Sequence, residues 1–241
     1  MGAAALGLPL YVFPRPFAAI AGLAGDDLLI YELGGAAMLG YAVALVIAAR
    51  RGEWRPLRFV LMATYTFGGV ALLAGLVSFA SGTITGFVLI TTIWGVLVGW
   101  IVGQILVARR GLRSGPRDVA GWVAVVLALA TLSAAVFGLG PQAAGPFAAL
   151  MGYRGTDEYV YRLAGAACFG YAVMGIGELR SLHWGDIWLA NVMALVFNGL
   201  AFIAALLEVL AGRATLLALL VTAAAGFFTV AIAVVLFRRG R

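Results

Sequence analysis

The chain has 241 residues, of which 64% are hydrophobic and 11% charged, with a mean hydropathy of +1.07. Soluble domains carry roughly a quarter of their residues as charges, so this composition excludes one and places the chain in a membrane. All 16 basic residues are arginine, against 10 acidic ones, which excludes a lysine Schiff base or nucleophile; one cysteine and one histidine exclude an internal disulfide, an iron–sulfur or zinc site and a bis-histidine haem.

Residues 1–27 are apolar, are broken by Pro9, Pro14 and Pro16, and lack the basic start of a signal peptide. They read as an ordered interfacial segment with an amphipathic turn at 17–23. Seven apolar runs follow, at 28–49, 59–80, 84–108, 119–139, 159–179, 187–210 and 214–237. Each supplies the ~20 residues that a bilayer core demands. Helix is the expected form, because in lipid every backbone polar group must be satisfied within its own segment, and the runs lack the alternation of barrel strands. The predicted fold is therefore an all-α integral membrane protein of seven transmembrane helices.

The chain also repeats itself. Residues 16–43, PFAAIAGLAGDDLLIYELGGAAMLGYAV, return at 146–173 as PFAALMGYRGTDEYVYRLAGAACFGYAV, with 16 of 28 positions identical at an offset of 130 and no gap. Trp54/Trp184, Phe67/Phe197 and Gly82/Gly212 continue the register. The expected organisation is a first repeat at 28–108 (spans one to three), a linker helix at 119–139, an outside loop at 140–158 and a second repeat at 159–237 (spans five to seven). Paired spans lie four apart, an even number, so the repeats should be parallel and related by an axis along the membrane normal. The counterpart of the linker helix would begin before Met1, which suggests an ancestral four-helix unit.

Twelve of the 16 arginines fall in or near 50–58, 109–118, 180 and 238–241, all on one side of the spans. By the positive-inside rule that side is cytoplasmic. The N-terminus is then outside and the C-terminus inside, with Trp54 and Trp184 anchoring the cytoplasmic interface, and the expected location is the bacterial inner (plasma) membrane.

Pro146, Phe147, Ala148, Asp157, Arg162, Gly165 and Ala166 form a Pro-Phe-Ala element followed by a polar entry to the next span. In this the repeat unit resembles the uncharacterised four-helix bacterial membrane proteins of DoxX-like type; the first copy departs from the pattern, with Glu32 in the place of Arg162. The 3+1+3 order of parallel repeats resembles the topology of SWEET-type sugar transporters, which implies transport, although none of that family's motif residues is present.

Glu32 and Arg162 hold one repeat position with opposite charge. Glu32, Ala36 and Gly40, like Arg162, Ala166 and Gly170, lie at i, i+4, i+8, on the small-residue face that packs against other helices. They form either a binding site for a charged solute, lined also by Tyr31 and Tyr161, or a structural ion pair between the repeats. Asp27 and Asp157, just before their spans, read as helix caps. Gly95, Gly99 and Gly103 form a helix-packing face, internal or for another subunit. Polar residues concentrate in the second copy: Asn191, Asn198 and Glu208 stand where the first has Leu61, Gly68 and Ser78. Glu208 with Arg213 reads as an interfacial pair.

No catalytic constellation emerges, and His183 reads as a solvated residue of a turn. No cofactor and no metal are expected. Two functions compete: an accessory or structural subunit of a membrane protein complex, and a small-solute or lipid carrier with its site at the interface of the repeats. The expected partners are membrane lipids and either other membrane protein subunits or further copies of the chain, not nucleic acid.

Overall fold

The computed structural model describes residues 2–109 and 114–239, all of them in helices or the connections between them. Ten α-helices follow one another: α1 (Gly2–Val12), α2 (Pro14–Ala21), α3 (Leu28–Arg51), α4 (Trp54–Ala80), α5 (Gly86–Ala108), α6 (Gly121–Leu139), α7 (Gly145–Met151), α8 (Glu158–Ser181), α9 (Trp184–Leu210) and α10 (Leu216–Arg239), with a 3-10 turn at Gly140–Ala143. Seven of them, α3 to α6 and α8 to α10, are long and apolar enough to cross a membrane, as expected of a multi-pass membrane protein. Arg110, Arg113 and Arg241, part of the predicted arginine-rich side, lie outside the described residues.

Two segments depart from the reading of the sequence. Residues 1–27 hold two helices where a single segment with one amphipathic turn was expected: α1 runs along α3, and the chain bends by 116° into α2. Pro14 causes the bend, because its ring denies α1 a continuing N–H and drives Phe13 out of the helical region, to φ −132° and ψ 54°. Pro14 and Pro16 then fit the first turn of α2, where no amide is needed. Gly2 packs on the ring of Trp94, about two turns into α5, so α1 begins alongside the bundle rather than at its end. The stretch 140–158 is likewise not a plain loop, since it holds the 3-10 turn and α7.

The helices form a four-member centre with an outer ring. In the centre α3 lies on α9 and α4 on α8, with α3 also touching α8; outside it α5 covers α4, α10 covers α9, α1 covers α3 and α6 covers α8. Small residues let these backbones approach. A Cβ on Gly35 would lie 2.6 Å from the Tyr11 nitrogen, and one on Gly165 would lie 2.8 Å from the Gly138 oxygen. The helix α1 thus meets α3 as the last turns of α6 meet α8. A Cβ on Gly40 would collide with the Tyr171 hydroxyl, and one on Gly170 with the Tyr41 hydroxyl.

Each of those tyrosines reaches across to the other half. Tyr41 donates to the Ala167 carbonyl at 3.4 Å and Tyr171 to the Ala37 carbonyl at 3.3 Å, with the two rings edge to face at 5.4 Å. These contacts recur when the halves are exchanged, and α3 and α8, like α4 and α9, begin and end 130 residues apart.

The glycine stripe of α5 turns inward. A Cβ on Gly68 of α4 would lie 3.0 Å from the Gly95 oxygen and 3.5 Å from the Gly99 Cα, and one on Gly103 would lie 3.0 Å from the Tyr65 ring. Gly95 and Gly103 therefore pack on α4, whereas a Cβ on Gly99 would meet nothing within 4 Å.

Candidate functional site

Asp27 and Asp157 occupy the N-cap positions of α3 and α8, yet neither side chain bonds to its own helix. Each reaches the opposite half instead, which corrects the reading of them as caps. The Asp27 carboxylate accepts from the backbone N–H groups of Arg154 at 3.2 Å and Gly155 at 2.7 Å and from the Tyr161 hydroxyl at 2.9 Å. Asp157 accepts from Ala24 and Gly25, both at 2.8 Å, and from the Tyr31 hydroxyl at 2.5 Å. Gly25 and Gly155 make this possible with φ of 71° each, a left-handed conformation that turns successive N–H groups towards one anion. Both aspartates and both tyrosines are buried, so every member of this double clamp is already satisfied by protein. Tyr31 and Tyr161 hold the two halves together, and Tyr31 also stands on the wall of the smaller of the two cavities described below.

Glu32 and Arg162 do not pair. Arg162 binds Glu158, one turn earlier on its own helix, at 2.5 Å. Glu32 lies within electrostatic reach of Glu208 and Arg213. Glu208 and Arg213 form the predicted pair, two-pronged at 2.5 and 3.0 Å, and this bond raises the pKa of the Arg213 guanidinium. The seam between α3 and α8 is instead apolar and tyrosine-lined, because Glu32 and Arg162 each find a partner or a field elsewhere.

A large cavity lies within the second half. It is walled by α6, α8, α9 and α10, has Ile30 and Leu33 of α3 at one edge, and encloses about 110 Å³ in which the centre of a water molecule can sit. A single water needs roughly 10–15 Å³ on this measure, so the space suits a small organic molecule. Most of the wall is aliphatic or aromatic. The polar exceptions include Glu178 of α8 and Asn191 and Asn198 of α9.

Glu178 is 4% exposed and Asn191 2%. The Asn191 amide donates to one Glu178 carboxyl oxygen at 2.8 Å and to the Ile187 carbonyl at 3.0 Å. The second Glu178 oxygen takes no hydrogen bond from a described residue, and the carboxyl makes no ion pair among them. Asn198 donates to the Ala194 carbonyl at 2.8 Å, and its own oxygen likewise receives no donor among the described residues.

The first half has a cavity in the corresponding place, of about 40 Å³, between α1, α3, α4 and α5 and an edge of α8. Phe67 and Gly95 on its wall stand 130 positions from Phe197 and Ala225 on the wall of the larger one, and Val160 and Leu163 stand so to Ile30 and Leu33. The difference in volume follows from side chains. Trp94 and Met38 project where the second half has Ala224 and Cys168, and Glu178 and Asn191 correspond to Ala48 and Leu61.

Sequence reasoning noticed Asn191 and Asn198 but not Glu178. Its signal was weak: Glu178 and Asn191 lie 13 residues apart across the two-residue turn joining α8 to α9, one about a turn of helix before it and the other about two turns after, on antiparallel helices. Also missed was Asp186, fully buried, which accepts from Arg55 at 3.0 Å, Arg58 at 2.8 Å and Ser181 at 2.8 Å and ties the start of α4 to that of α9. His183 contacts the Pro116 carbonyl at 3.0 Å and lies 3.5 Å from Asp118, a structural tie of the preceding connection. Among the described residues no group of three or more metal-ligating side chains gathers. The sequence matches no protein-family model, and neither a curated protein nor a solved structure matches it.

Proposed function

We propose that this chain is a membrane carrier or binding protein for a small, largely apolar molecule, held in the cavity between α6, α8, α9 and α10. One observation carries the reading: of two cavities in corresponding places, the second has about 110 Å³ and holds an acid and two amides, while the first, with Trp94 and Met38 on its wall, has about 40 Å³ and neither acid nor amide. Apolar walls with a few convergent polar groups are the usual form of a small-molecule site. Packing alone would favour the first half's solution, since buried polar groups cost free energy that aliphatic ones do not. The alternative of an accessory subunit loses part of one support, because Gly95 and Gly103 of the glycine stripe that suggested a docking face pack on α4.

In this proposal the Asp27/Asp157 end faces outward and the arginine-rich end faces the cytoplasm of a bacterium, in accord with the charge asymmetry. Sparse contact between α6 and α10 leaves a lateral route into the cavity from the bilayer. The duplication supplies a rigid frame: the double aspartate clamp at one end and the Asp186 cluster at the other brace the helices around the space.

The test is to give the second half the residues of the first. Cys168→Met with Ala224→Trp should fill the cavity and abolish saturable binding of a small apolar probe to protein in lipid nanodiscs, with thermal stability kept or raised. Binding that persists in the filled variant would sink the reading.

A further inference from the structure

The geometry points to a lipophilic amine or ammonium ion as the occupant of this cavity, with Glu178 as its counter-ion. The inference rests on the binding role proposed above and adds the chemistry of the ligand. Glu178 is buried, and its only hydrogen-bond donor among the described residues is the Asn191 amide, on one of its two oxygens. Among the described residues the arginines of that end do not serve it: Arg55 and Arg58 bind Asp186, and no described charged side chain makes an ion pair with Glu178. A carboxylate in an apolar wall is stable as the ion when a cation meets it, and a ligand can bring the cation that no described side chain supplies.

The rest of the wall suits the same guest. Phe137, Tyr171, Phe197 and Phe228 line the cavity, and the faces of aromatic rings attract cations as well as hydrocarbon. The Asn198 oxygen, without a described donor, is a further acceptor for an ammonium N–H. An anionic ligand finds the opposite: a carboxyl, carbonyl-type oxygens and no basic side chain on the wall. The ligand class is therefore a compact hydrocarbon bearing a protonated amine, the amine beside Glu178 and the hydrocarbon among the rings.

Adamantan-1-amine and adamantan-1-ol share a rigid hydrocarbon cage and differ in the charge of one group, so they separate this inference from the binding role beneath it. Each would be titrated calorimetrically into protein in nanodiscs, with empty nanodiscs and the Cys168→Met/Ala224→Trp variant as controls. The expected result is amine binding at least tenfold tighter than alcohol binding, and a Glu178→Gln variant that takes the amine no better than the alcohol. Equal affinities for the two in the unaltered protein overturn the counter-ion role while the cavity remains a binding site. If neither compound binds the unaltered protein more tightly than it binds empty nanodiscs or the filled variant, the cavity reading falls and the ligand class with it. Should Glu178→Gln fail to fold, the amine-to-alcohol ratio of the unaltered protein decides alone.

Discussion

A carboxylate that accepts three hydrogen bonds from the opposite half of the chain behaves as a rivet, and Asp27 and Asp157 are a matched pair of them. Leaving a buried donor without its acceptor costs about 1–3 kcal/mol. Asp27→Ala and Asp157→Ala should therefore each lower stability by roughly 3 kcal/mol and by similar amounts, measured by SDS-titration unfolding in mixed micelles. Helix caps acting each on its own helix would give smaller losses, near ~1 kcal/mol. At the cavity, Asn191→Leu removes the donor to Glu178 and should cost about 2 kcal/mol. Adding Glu178→Ala, which recreates the Leu61 and Ala48 of the first half, should recover most of that loss, because no buried carboxyl is then left unmet. A double variant as unstable as the single one would show that the pair is not coupled.

Between elements, glycine decides how closely the two halves dock. The Cβ of an alanine at 40 would strike the Tyr171 hydroxyl and come within 2.9 Å of the Met193 carbonyl; at 170 it would strike the Tyr41 hydroxyl and come within 2.7 Å of the Ala63 carbonyl. Gly40→Ala and Gly170→Ala should each destabilise by about 1–3 kcal/mol, the usual cost of overpacking a tight contact, with unfolding again as the readout. Gly69→Ala and Gly199→Ala are the controls: a Cβ meets nothing within 4 Å at 69 and only the Thr229 methyl, at 3.9 Å, at 199. Equal effects at all four positions would refute close approach as the reason for glycine at 40 and 170.

For the whole molecule, connections at one end are tied by arginine. Arg58 reaches Asp186 and Ser114, and Arg51, Arg109 and Arg238 lie over the rings of Trp188, Trp54 and Trp122. Cationic and aromatic groups together are common at membrane–water interfaces. The opposite end carries the aspartate clamp and Tyr153, whose phenol pKa is raised by burial and which accepts a hydrogen bond from Thr215. With Cys168 replaced by Ala, a cysteine at Thr156 should react with an impermeant thiol reagent added outside intact cells, and one at Glu53 should react only after lysis. The reverse pattern would invert the proposed orientation.

Composition and the length of apolar runs were enough to determine the seven long helices, because in lipid a chain has no alternative way to satisfy its backbone. The 130-residue register was equally open to reading in identities such as Gly25/Gly155 and Tyr41/Tyr171. What those identities are for was not legible. Asp27 looks like a cap of its own helix because sequence shows neighbours along the chain, whereas its donors lie some 130 residues away. Glu32 and Arg162 invited pairing by symmetry, but a side chain takes the nearest partner in space, and for Arg162 that was Glu158. The cavity, too, belongs to tertiary structure alone: it is a space left where Cys168 and Ala224 are small, and an absence of atoms has no residue to announce it until the helices around it are packed.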